Sequence, residues 1–141
     1  MADNTLSPEM TSYFAGAALG LVVKERRRQI DELGYTEDHD DRHGGEELAS
    51  AAAFFLVPAF VNQDVCTCTA EYGLIVQSMH ELIGENAWEG IHRDDYDNGM
   101  LRSDVGIDTR IGQLVKGTAL ALAELERWLR ARDLRKRLEK G

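Results

Sequence analysis

Between Glu37 and His43 the sequence places four carboxylates and two imidazoles in seven positions, Glu37-Asp38-His39-Asp40-Asp41-Arg42-His43. So many like charges repel one another unless a cation, an arginine or water relieves them. Asp40 and Asp41, with Glu46 and Glu47 just beyond, are therefore candidate oxygen ligands for a hard divalent cation such as Mg²⁺. His39, Arg42 and His43 are candidate contacts for an anionic ligand. The plainer reading is a solvated acidic loop in which Asp40 or Asp41 bonds local backbone. The His39-Asp40 pair does not make an HD-type phosphohydrolase site, because the other histidine and aspartate ligands at helical spacing are absent.

The elements that must hold this stretch come on either side of it. Ser7-Pro8-Glu9 is a helix start, with a capping hydroxyl, proline at the first helical position and an acid near the positive end of the dipole. Met10, Tyr13, Phe14, Ala17, Ala18, Leu21 and Val22 then recur at helical spacing. Continued at 100° per residue, that face passes to Glu25, Arg28, Gln29 and Glu32. Either the helix outruns the core there, or an apolar bundle carries a polar pocket at one end. The second reading makes Arg28 and Gln29 candidate ligand contacts. Gly34 suits the helix C-cap, leaving 36–45 as a loop.

Glu46 and Glu47 open a second helix whose Leu48 to Val57 is almost wholly apolar, so it is expected to be the buried middle of the domain. Pro58 ends or kinks it, and Asn62 to Cys68 is a connector. A third helix is expected from Thr69, with Tyr72, Ile75, Val76, Met79, Leu82 and Ile83 inward and His80 half-buried at the edge. The segment Tyr72 to Gln77 also reads as a strand, but the longer period favours helix.

Residues 86–106 form a second long loop, in which Trp88, His92, Arg93, Tyr96 and Arg102 are candidate ligand contacts. Its Asp94-Asp95-Tyr96-Asp97-Asn98-Gly99 fails as an EF-hand, since Tyr96 and Val105 stand where oxygen ligands belong. Asp108 caps a long last helix with a coiled-coil-like seam of Ile111, Val115, Thr118, Leu122, Leu125 and Leu129. Gly112 and Gly117 within it make sense where another backbone approaches closely.

The fold class expected is all-α: four main helices in a compact bundle, oligomeric, with residues 1–7 as a flexible tail and 8–141 as one helical domain. A chain of 141 residues, 43% hydrophobic and 29% charged, suits one ordinary globular domain. Its formal charge of −9 argues against a broad electrostatic footprint on duplex nucleic acid. Charge is uneven, because Glu124 to Gly141 carries +3 and the first 123 residues −12, so the basic last helix is expected to lie across an acidic body, its own or a neighbour's. Cys66 and Cys68 suit neither a disulfide framework nor a four-ligand zinc site and are expected to be reduced. No signal peptide and no membrane-length apolar run is visible, and a cytoplasmic location is expected.

The run Glu25-Arg26, Arg28-Gln29, Gly34-Tyr35-Thr36, His39-Asp40-Asp41, His43 and Gly45-Glu46-Glu47-Leu48-Ala49 resembles a group of small phage and prophage proteins sharing this helix–loop–helix signature. It is also similar to the all-α nucleotide pyrophosphohydrolases of the MazG type, whose carboxylates on adjacent helices hold Mg²⁺ against nucleotide phosphates. That likeness implies Glu25, Glu46 and Glu47 as catalytic carboxylates, with Glu32, Glu81 and Glu85 alongside. The MazG pattern pairs Glu-x-x-Glu with Glu-x-x-Asp, whereas Ser50 follows Glu47 and Gly84 follows Glu81 at that spacing. The first expectation is therefore a non-catalytic binder that sequesters a nucleotide immune signal of the host, with no cofactor firmly implied. A Mg²⁺-dependent pyrophosphohydrolase is the alternative, and an acidic module that contacts a host protein ranks third.

Overall fold

The computed structural model describes residues 8–44, 46–57, 64–69, 73–86 and 106–140. Among these the chain is mostly helical, in line with the all-α expectation. The elements are α1 (Pro8–Asp31), α2 (Glu37–Asp41), α3 (Glu47–Leu56), β1 (Asp64–Thr69), β2 (Gly73–Ser78), α4 (Met79–Asn86) and α5 (Ile107–Lys140). No described helix is long and apolar enough to cross a membrane.

The core is built on α3, as its apolar run predicts. Leu48, Ala51, Ala52, Phe54 and Phe55 are buried with Tyr35, Leu120 and Ala123, and Leu33 and Ile83 pack against them. Each fully buried side chain of Leu48's size contributes roughly 1.5–3 kcal/mol of transfer free energy. Two small residues, Ala52 on α3 and Gly117 on α5, let these helices meet closely. A Cβ built at Gly117 would lie 2.8 Å from Leu56 Cγ and 2.9 Å from the Ala52 carbonyl oxygen. Gly112, the other glycine of α5 with the same expectation, has open space at that position. Arg110 closes the C-terminus of α3, donating to the carbonyls of Phe55 (3.1 Å) and Leu56 (2.6 Å) that the helix leaves unpaired.

Three expectations require correction. The stretch 36–45 is not all loop, because Glu37–Asp41 forms one helical turn whose N-cap, the Thr36 hydroxyl, accepts from the His39 N–H. The third helix does not begin at Thr69. Instead β1 and β2 pair antiparallel, with Cys66 opposite Val76 and Thr67 opposite Ile75, and α4 starts only at Met79. The β-branched residues concentrated on both strands, Val65, Thr67, Thr69, Ile75 and Val76, favour extended backbone over the helical period that Met79, Leu82 and Ile83 suggested. Finally, Tyr13, Phe14, Ala17, Ala18 and Leu21 of α1 are exposed rather than buried. The inward face of α1 is Val22, Arg26 and Gln29, continued past the helix end by Leu33, one step round from the face that the apolar spacing suggested.

Gly34 is at φ 77°, as its place after the helix requires, and Glu46 takes the left-handed conformation (φ 71°) just before α3. Cys66 is an exposed free thiol.

Candidate functional site

The inward face of α1 turns polar at Arg26 without leaving the interior. Arg26 is 5% exposed, and its Nη2 donates to Asp40 Oδ2 at 2.8 Å and Glu126 Oε2 at 3.3 Å. Its Nη1 donates to the Tyr35 carbonyl at 3.1 Å. Asp40 is completely buried, which an aspartate tolerates only when its charge is paired and its lone pairs are used. Its other oxygen, Oδ1, lies 3.0 Å from His39 Nδ1. An ionised carboxylate can only accept, so Nδ1 is the donor in this contact. The imidazole is fixed further by stacking on Tyr35, with centroids 4.6 Å apart and planes 11° from parallel. The His43 ring is tilted against that of His39, with centroids 4.7 Å apart.

Asp41, the next residue, turns the opposite way and accepts from Arg130 Nη2 on α5 at 2.8 Å. Consecutive aspartates on one short turn thus fasten α2 to α1 and to α5. Farther along α5, the buried Glu124 takes both Arg127 Nε (3.1 Å) and Arg127 Nη2 (2.7 Å). That hydrogen bond, opposed by burial and reinforced by the Glu124 charge, holds the Arg127 guanidinium above the ordinary arginine value. For Arg130, burial acts downward, but the Asp41 hydrogen bond and charge outweigh it and the net direction is upward.

The four expected metal ligands are not brought together as a set. Asp40 is engaged by Arg26 and His39, Asp41 by Arg130, and Glu46 is an exposed left-handed residue ahead of α3. Glu47 faces His43, whose titration it influences together with Asp40. Among the described residues no group of three or more His, Cys, Asp or Glu side chains could hold a metal ion. Of the four, Asp40 and Asp41 are already paired with guanidinium groups.

His43 carries a pH dependence. Burial lowers its pKa from the ordinary histidine value and the neighbouring His39 and Arg42 act the same way, while Glu47 and Asp40 pull upward. The folded state therefore takes up this proton less readily than the unfolded chain. The stability associated with neutral His43 is complete above about pH 6.5, the ordinary histidine value, and falls as pH drops through the lowered folded value. We expect His43→Gln to flatten the decline of thermal midpoint between neutral and mildly acidic pH. Parallel melting curves for the two proteins across that range would contradict the assignment.

Glu25, Arg28 and Gln29 form one cluster on α1. Glu25 accepts a bidentate pair from Arg28, at 2.8 Å from Nε and 2.7 Å from Nη2, and a longer contact from Gln29 Nε2 at 3.5 Å. Gln29 is buried, and its Oε1 and the Arg26 Nε have no hydrogen-bond partner among the described residues. The cluster borders an open groove of about 400 Å³ between α1 and α5, lined by Leu21, Lys24, Glu25, Arg27, Arg28, Asp31, Glu32 and Val115. A second groove of about 330 Å³, lined by Val23, Arg26, Arg27, Ile30, Asp31, Leu122 and Glu126, lies beside it. Arg27 and Asp31 line both. Lys24 and Arg27 make no hydrogen bond or ion pair with another described residue.

Arg42 is exposed at the end of α2, where its N–H caps the turn. Trp88, His92, Arg93, Tyr96 and Arg102 lie outside the described residues, as do the side chains of His80, Glu81 and Glu85. The sequence reading missed Arg26, Glu124, Glu126, Arg127 and Arg130. The signal for Arg26 was its position four after Val22 and three before Gln29, a helical stripe interrupted by charge.

Compared with protein-family models, curated proteins and solved structures, the chain matches none of them significantly. Fold and site together define a mostly helical domain in which a buried arginine–aspartate pair locks two long helices and a connecting turn beside a groove of mixed charge.

Proposed function

We propose that this chain binds a small phosphate-bearing nucleotide without turning it over, in the larger groove between α1 and α5. The observation that carries the reading is the make-up of that groove: Lys24 and Arg27 present cationic groups not committed to any described carboxylate, beside Glu25, Asp31 and Glu32 and the apolar Leu21 and Val115. Guanidinium and ammonium groups suit phosphate oxygens, carboxylates accept from ribose hydroxyls and exocyclic amines, and the aliphatic side chains suit the face of a base. A volume of about 400 Å³ falls within the range of small-ligand sites.

Commitment of Asp40, Asp41 and Glu25 to arginines favours binding over Mg²⁺-dependent hydrolysis. The biological setting we propose is that of a phage protein, the origin the sequence resemblance implies, which sequesters a nucleotide signal of its host. The acidic interaction module ranks below it, because Lys24 and Arg27 in the groove have no part in such a surface.

The test is calorimetric titration with individual nucleotides. We expect Lys24→Glu and Arg27→Glu each to weaken the best-bound nucleotide at least tenfold, with Arg42→Ala unchanged. The reverse order, with only Arg42→Ala weakening it, would move the site to α2.

A further inference from the structure

Two helical segments at opposite ends of α1 and α5 are exposed along their whole length. Every residue from Ser12 to Leu21 on α1 is exposed, including Tyr13 at 71% and Leu19 at 65%. The stretch Ser12 to Val23 holds no charged side chain, so its surface offers nothing to an acidic or a basic partner but a continuous apolar face. At the far end of α5 every residue from Ala131 to Lys140 is exposed as well, with Leu134 and Leu138 one helical turn apart. Among the described residues this overhang is not covered by any other element, whereas helices in proteins usually draw their stability from tertiary packing.

The two segments match each other. Residue numbers rise together along α1 and α5, since Leu21 meets Val115 across the groove while Arg26 bonds Glu126 and Asp41 bonds Arg130. The open stretch of α1 and the overhang of α5 therefore lie at opposite ends of one copy and come side by side in two antiparallel copies. Both are ten residues long, about 15 Å of helix. Charge agrees: Arg130 to Lys140 carries a net +4, while the remainder of the chain carries −13. An antiparallel pair brings each basic overhang to a copy whose remaining net charge is negative, along a stretch that itself holds no charge, and keeps the two overhangs apart.

We propose that two copies of this chain pair about a two-fold axis, with the α5 overhang of each lying along the uncharged face of α1 in the other. Leu134 and Leu138 then cover the apolar stretch around Tyr13, Phe14 and Leu19. Such a contact is isologous and occurs twice per dimer. It is independent of the ligand reading, since its readout is mass rather than binding.

Sedimentation velocity at micromolar concentration tests it, using the full chain, Leu19→Glu, the double variant Leu134→Glu/Leu138→Glu, and Leu74→Glu as a control at an equally exposed leucine on β2. We expect a dimer for the full chain and the control. Both interface variants should run as monomers with unchanged helical circular dichroism. Mixing the two interface variants should restore a heterodimer, because one of its two contacts then joins an intact overhang to an intact α1. A monomeric full chain, a surviving dimer in either interface variant, loss of the dimer in the control, or failure of the mixture to reassociate would each overturn the proposal.

Discussion

Arg26→Met is expected to destabilise the folded chain by about 3–5 kcal/mol, the cost of leaving a buried charge without its partner. Asp40 would remain wholly buried with only His39 to answer its carboxylate, and the Tyr35 carbonyl and Glu126 would lose their donor. A domain of this size commonly has about 5–15 kcal/mol to lose, so the variant should lie close to the threshold of unfolding at growth temperature. Asp40→Leu alone should be similarly damaging, because it leaves Arg26 charged in the interior. Combining the two should cost much less than their sum, since an apolar pair of similar volume needs no desolvated charges. Urea midpoints of the four proteins measure that coupling. Additive losses would mean that Arg26 and Asp40 do not act as a pair.

The second large effect separates two glycines of one helix. Gly117→Ala should destabilise by about 1–3 kcal/mol, because the new methyl would press on the Ala52 carbonyl and on Leu56, and the backbone oxygen cannot rotate away. Gly112→Ala meets nothing within 4 Å and should stabilise by up to about 1 kcal/mol through helix propensity. Thermal midpoints should therefore move in opposite directions. A shift of the same sign in both would contradict the close approach of α3 and α5 at Gly117.

That contact was half legible in the sequence. Two glycines inside an otherwise helical seam signalled close packing, but nothing local distinguished the one that α3 approaches from the one that faces open space. The apolar run from Leu48 likewise identified α3 as the core, because ten nearly uninterrupted apolar residues have no solvent-facing side to choose. On α1 the same property misled. Leu19, Leu21, Val22 and Val23 are apolar on every side, so periodicity could not select the inward face, and Arg26 was passed over in favour of its neighbours.

The hairpin was missed because Ile75 and Val76 satisfy both a helical and an alternating pattern, and the pairing with Val65 and Thr67 is a tertiary fact. The His-Asp-Asp stretch was recognised as a concentration of charge needing relief. Its relief comes from residues 14 positions before Asp40 and 89 after Asp41, separations at which sequence spacing carries no geometric information.

Binding without turnover is tested most directly by incubating the purified protein with a panel of nucleoside triphosphates and cyclic nucleotides, with and without Mg²⁺, then releasing bound material by heat for liquid chromatography. Depletion of one compound from solution and its intact recovery, in both metal conditions, is the predicted result. Conversion of that compound to products only when Mg²⁺ is present would contradict the proposal and establish an enzyme, and depletion of no compound would remove the nucleotide reading altogether.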